Sequence, residues 1–457
     1  MSRAVSRPLA ATVLAAAAVA FPAAVPAHAA PITCGDIAAL KTAIMAGGTI
    51  DLVPYCVYVL TAADSGVDGL PAVTSNTVIN GNHATIMRDP TLTSATPFRI
   101  LRIASGGSLT VSDLTVMNGL LTGVGGNGGG IRVENGGSLM ATSNLTIQGN
   151  RVLTFGGGLE VDAGGAAELT ASLINDNTAT SLAIGLGGGA YSRGSLRLHG
   201  TVVSSNRAGE YGGGVGSDGS TFVIDQNSRI SNNRVTGFGP NDGGGGGVYT
   251  GPGGSITDSS VTNNTLTDGE GGGGIYSGGG PLTVTRSTIS GNTLAYNQTP
   301  PAAGAALLSR GSVTLDSSTV ASNKIVGAPG RGAGLAVLNG SLTLQSTTTA
   351  TTVRSNLASG QYSQGGGIYA ASGTNLTTTG ATITANKASG TGSQGGGLFN
   401  NGGTVSLDST TSVTSNSAAT APGGIWTSTP FATTATISGN IPTNCLGSPT
   451  IVTGCAG

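Results

Sequence analysis

The stretch from Gly271 to Asn292 reads GGGGIYSGGGPLTVTRSTISGN, and its reading decides the fold. It opens on a glycine run followed by an apolar residue, Ile275. Its middle, Leu282-Thr283-Val284-Thr285, alternates apolar and polar with the period of a half-buried strand. It closes on Ile289-x-x-Asn292, and then the pattern restarts. Working outward, asparagines recur at Asn118, Asn150, Asn177, Asn206, Asn233, Asn264, Asn292, Asn323, Asn356, Asn386, Asn416 and Asn440. From Asn150 onward the residue three before each Asn is Ile or Val. Glycine runs followed by an apolar residue recur between them, as at Gly156–Gly158 before Leu159 and Gly187–Gly189 before Ala190. The mean spacing of the asparagines is about 29 residues, a period that belongs to repeat architectures.

A unit of this size holds three short strands and their turns, and leaves no room for a crossover helix. It cannot bury its apolar face alone, so it must stack on its neighbours. Parallel strands about 4.8 Å apart then describe an all-β solenoid, a parallel β-helix of about 11–13 rungs. The β-branched residues line its interior. The repeated Asn suits a left-handed turn, with side-chain amides forming a ladder along the stack. A β-propeller would need four strands in a longer repeat, and the chain has one Trp.

Composition agrees and removes other classes. The chain has 457 residues, 80 of them Gly, and only 9% are charged, against roughly 25% in a typical soluble protein. Three lysines and a net charge of −1 leave no composition for a coiled coil and no basic footprint for a nucleic acid. Residues 1–29 read as a signal peptide. Arg3 and Arg7 precede an apolar run from Leu9 to Phe21, and Ala27-His28-Ala29 fits a cleavage site. That run is shorter than the ~20 residues that span a bilayer, so the expected product is secreted, soluble and monomeric.

The ends read as caps. Residues 30–117 form an N-terminal cap with the first rungs, 118–440 the repeats, and 441–457 a C-terminal cap. Asp36 to Met45 places Ile37, Leu40 and Ile44 on one face of a short helix that could cover the open end of the stack. The ends of eleven intervals lie roughly 50 Å apart, whereas a disulfide needs Cα atoms within about 7 Å. Cys34 therefore pairs with Cys56, and Cys445 with Cys455.

Repeats that end in Ile/Val-x-x-Asn and restart with Gly-Gly-Gly-Ile-Tyr resemble those of polymorphic outer membrane proteins and related bacterial right-handed β-helix repeat proteins. The likeness runs from about Cys34 to Asn440. It implies a right-handed helix of the kind shared by the wider pectate-lyase-like group, and an adhesin-like role. The autotransporter barrel of polymorphic outer membrane proteins has no counterpart in the short segment after Asn440.

Two sets of residues carry candidate chemistry. Glu210, Asp242 and Glu270 each precede a glycine run in consecutive units, and carboxylates at rung spacing suit a polysaccharide lyase or glycoside hydrolase, or a Ca²⁺ ion. Their offsets from the runs differ, however, and solvated loop tips account for them more simply. Only two acids, Asp316 and Asp408, lie beyond Glu270, which removes the C-terminal half as an acid/base site, and the acids concentrate between Glu134 and Glu270. The second set is a column. If the residue after each glycine run points inward, the next points outward, which selects Tyr191, Tyr249, Tyr276, Tyr369, Phe399 and Trp426. Exposed rings in a column could stack on sugars; rings packed on one another and on the glycine turns are the simpler alternative. With two His left after cleavage, no metal or cofactor motif stands out. The sequence reading is a non-catalytic extracellular protein for binding or structural display, its partner a polysaccharide or cell-surface glycan, and the enzyme is the alternative.

Overall fold

The computed structural model describes residues 30–123, 125–237, 243–296, 301–327 and 329–457. Residues 1–29, expected from the sequence to be a signal peptide, and Asp242 lie outside these residues. The chain is an all-β parallel solenoid whose strands stack rung on rung. One turn shows the plan. Residues 159–161 belong to a sheet of twelve strands, 166–170 and 173–175 to one long sheet, and 178–179 to a sheet of ten. Each such rung therefore has four strands where the repeat pattern indicates three. The missed strand follows the Asn and is often only two residues long, too short to show alternation.

The register repeats the sequence markers rung for rung. Ile174 pairs with Ile147 and Val203, and Leu159 with Ile131 and Ala190. These inward residues merge into one core running from Leu40 in the N-terminal cap to Val452 in the C-terminal one. Beside this apolar spine, the Asn ladder fixes the next corner. Each of the eleven asparagines from Asn150 to Asn440 is buried. Asn177 Oδ1 accepts from both the backbone N and the Nδ2 of Asn150, at 2.9 Å each. Asn177 Nδ2 in turn donates to Ile147 O at 2.8 Å and to Asn206 Oδ1 at 3.1 Å. The ladder starts at Gly119 N, which donates to Asn150, and ends at Asn444, which accepts from Asn440.

The left-handed turn is one residue earlier than the sequence reading placed it. Asp176, Ser205, Asn232 and Asn263 carry φ of 56° or 57°, and the ladder asparagines that follow them do not. The turn residue faces solvent, and its conformation swings the next side chain inward. Asn118 occupies that outer turn position, with φ 63°, and so stands outside the ladder it appeared to begin.

The glycine run is dictated by space as well as by dihedral angle. Gly187 adopts φ +62°, while a Cβ on Gly189 would meet Gly214 O at 2.6 Å and the Asn206 side chain at 2.9 Å. The N-terminal helix spans Ile37–Ala46, capped by Asp36, and buries Leu40 and Ile44 against the first rung. The disulfides are Cys34–Cys56 and Cys445–Cys455, with Cα separations of 5.6 and 6.3 Å. No helix among the described residues is long and apolar enough to cross a membrane.

Candidate functional site

On the outer face of the twelve-stranded sheet, residues that follow the inward apolar position stack in register. In order they are Arg102, Arg132, Glu160, Tyr191, Gly216, Tyr249, Tyr276, Leu308, Ala336, Tyr369, Phe399 and Trp426. The six expected aromatics are therefore in one column, as period two requires. Their exposure differs from that of a free sugar-stacking face. Tyr191, Tyr276, Tyr369 and Phe399 are buried, and Tyr249 and Trp426 are half-buried. Tyr369, Phe399 and Trp426 form a stack, the last two with centroids 3.9 Å apart. Tyr211 packs against both Tyr249 and Tyr276. Glycine makes room for the rings: a Cβ on Gly216 would meet Tyr191 at 2.8 Å, and one on Gly244 would overlap the Tyr276 ring. The rings seal the face of the sheet and lend it apolar area.

A second column, two residues further along each strand, shares this face and went unread in the sequence. It contains Glu134, Asp162, Arg193, Asp218 and Arg310, each hydrogen-bonded through its backbone N to the rung before. Together the columns form an ionic stripe in which acids and arginines tie successive rungs. Asp68, which is buried, holds Arg99 at 2.8 Å and Arg102 at 2.6 Å, and Arg102 reaches Glu134 at 3.3 Å. Arg132 pairs with Asp162 at 2.8 Å. Arg193 bridges Asp162 and Glu160, each at 2.9 Å, and its guanidinium lies 5.5 Å over the Phe155 ring. Asp218 accepts from the hydroxyls of Tyr191 and of Tyr249. Period two applied to the charged residues would have exposed this pattern.

Glu160 is a strongly perturbed carboxyl group. Its side chain is fully buried, and Oε2 has no hydrogen-bond partner. Burial pushes its carboxyl up to about 8, against the pull of the Arg193 guanidinium. Burial likewise raises the Tyr191, Tyr249 and Tyr276 phenols, and the neighbouring carboxylates add to it. The native state thus keeps a proton on Glu160 across a window in which an unfolded glutamate, near 4.3, has lost it. The unfolded chain binds fewer protons there, so stability falls as pH rises from about 4.5 to about 8. We expect the thermal unfolding midpoint of the protein to drop over that window, and Glu160→Gln to flatten the drop. Each pH unit is worth up to about 1.4 kcal/mol. Equal pH slopes in the two proteins would remove this assignment.

Of the expected carboxylate trio, Glu210 and Glu270 lie within the described residues. Tyr211, Gly244 and Gly271 bridge in register, so Glu210 aligns with Gly243 and Glu270. Glu210 and Glu270 are equivalent positions two rungs, or about 10 Å, apart. Glu270 Oε2 accepts from the Tyr276 hydroxyl at 3.0 Å, and Oε1 from Arg310 Nε at 2.7 Å. Glu210 is half-buried, and its charge contributes to the raised Tyr249 phenol. Among the described residues no three His, Cys, Asp or Glu side chains converge as a metal would need.

Residues 99–289 match the family model described as a right handed beta helix region, which covers most of the ionic stripe. No curated protein and no solved structure matches the chain. The solenoid is thus a right-handed parallel β-helix.

Proposed function

We propose that the chain is a secreted, monomeric, non-catalytic β-helix that acts by extracellular binding or structural display, with a glycan as partner. The observation that carries this reading is the commitment of Glu270. Both its oxygens serve Arg310 and Tyr276, so the carboxylate works as a tie between rungs. The stripe acids Asp68, Asp162 and Asp218 are engaged in the same way. A rigid stack with a long, regular surface suits a protein whose task is to present contacts.

The alternative, a polysaccharide lyase or glycoside hydrolase around Glu210, Asp242 and Glu270, draws on the concentration of acids between Glu134 and Glu270 and on the proton held by Glu160. Retention of the purified protein on a panel of immobilised acidic and neutral polysaccharides tests the binding reading. We expect retention on at least one polymer, unchanged in Tyr276→Phe, which keeps the buried ring. Retention on none of them would remove the reading.

A further inference from the structure

The ten-stranded sheet, whose strands follow the ladder asparagines, carries a column that neither the aromatic nor the ionic stripe explains. We propose that this face is a binding track for a linear anionic polysaccharide, held by Arg151, Arg207, Arg234, Lys324 and Lys387. The inference rests on the binding reading above and supplies its ligand class and its surface.

The five cations occupy one outward register position, linked rung by rung through parallel pairings. Eight rung steps separate Arg151 from Lys387, a track of about 38 Å. All five are exposed. Among the described residues, the arginines in ion pairs lie elsewhere, on the ionic stripe and at Asp258. No acid stands in the column itself; Asp176 and Asp268 sit at its edges. The whole chain has a net charge of −1, so the track is a local concentration of positive charge, not a sample of a basic protein.

The guanidinium groups are pre-arranged. Arg207 Nε donates to Thr236 Oγ1 at 3.2 Å, and Arg234 Nη2 to Thr267 Oγ1 at 3.3 Å. Each guanidinium has five N–H donors, so most remain for a ligand. Arg151 and Arg207 flank a depression of about 360 Å³ lined by Thr178 and by Leu182, itself 41% exposed. Charged groups spaced along a groove fit a polymer better than a small ion. Between the cations, Leu357 fills one rung, and Thr178, Thr265 and Thr293 fill the others. Their hydroxyls can both donate and accept, as sugar hydroxyls require. No aromatic ring shares the column, so the stacking platform that single-stranded nucleic acid uses is missing from it.

The probe is heparin, a sulfated linear polysaccharide, with dextran as the neutral polymer and duplex DNA as the competing polyanion. Affinity for heparin should fall at least about tenfold in Arg207→Gln/Arg234→Gln, because two charge-assisted contacts are lost. The unfolding midpoint should stay unchanged, since both side chains are exposed. Arg229→Gln/Arg354→Gln removes two exposed cations from the long sheet and should leave affinity unaltered. Absence of heparin binding, equal loss in both double variants, or tighter binding of DNA than of heparin would overturn the track. In each of those cases, retention on a neutral polysaccharide would still stand for the broader binding reading.

Discussion

Replacing Asn292 by Leu is expected to lower stability by about 4 kcal/mol, although volume is nearly conserved. Asn292 Oδ1 accepts from Asn264 N at 2.9 Å and from Asn264 Nδ2 at 3.0 Å. Its own Nδ2 donates to Val261 O at 3.0 Å and to Asn323 Oδ1 at 2.9 Å. Leucine would leave the Asn264 backbone N–H and one Asn264 Nδ2 hydrogen unpaired in a fully buried corner. Each such orphan costs about 1–3 kcal/mol, only partly offset by the apolar side chain. In a solenoid the loss falls first on the rungs that touch the site. Chemical unfolding read together with hydrogen exchange should therefore show fastest exchange in the rungs around Asn264 and Asn323. Ser290→Ala, on the outward face of the strand that leads into Asn292, should be nearly neutral, as most surface substitutions are. A comparably small loss in Asn292→Leu would mean that the ladder is decorative.

Gly188→Ala should be at least as damaging as a large cavity in the core, about 3 kcal/mol or more. Gly188 does not need a positive φ; it needs the absence of a side chain. A Cβ there would stand 2.5 Å from Gly213 O and closer still to the carbonyl group of Arg207. These are backbone atoms of the next rung, and no rotamer change relieves the overlap. Relief requires the rungs to separate, which lengthens the bonds Gly188 N→Gly212 O and Gly189 N→Gly214 O, at 3.1 and 3.0 Å. The effect should appear as a lower thermal midpoint and reduced soluble yield. Gly373→Ala, at a turn where an added Cβ meets nothing, isolates the dihedral contribution alone. If the two substitutions cost the same, the close approach is not the reason for the glycine.

Much of the fold was legible because the solenoid repeats its constraints every turn. Ile147, Ile174 and Val203 announce an inward column through their many recurrences, and one misread unit does not disturb the rest. The terminal disulfides followed from length alone. What escaped was local. Asp176 and Ser205 carry the left-handed turn because the inward amide, not the turn itself, selects for Asn at the next position. The strands at Thr178–Ala179 and Arg207–Ala208 were too short for alternation to reveal them, and the basic column they carry was lost with them.

The candidate site was legible in direction but not in depth. Period two put Tyr276 and Tyr369 on the outer face, where they are found. It could not tell that Gly244 beneath Tyr276, or Phe399 beside Tyr369, would close over the rings. Glu160 stood in the same outward series, yet its burial depends on Arg193 from the following rung and on the Phe155 ring that Arg193 covers. Such neighbours are far apart in sequence. They meet only once the register is known.

The assignment of the acids to the stack, not to chemistry, can be tested in one measurement. The protein is incubated with the same acidic and neutral polysaccharides, with and without Ca²⁺, and new reducing ends and unsaturated uronate ends are followed. No product above a heat-unfolded control is expected on any polymer. Product formed by the native protein and abolished in Glu270→Ala would contradict that assignment.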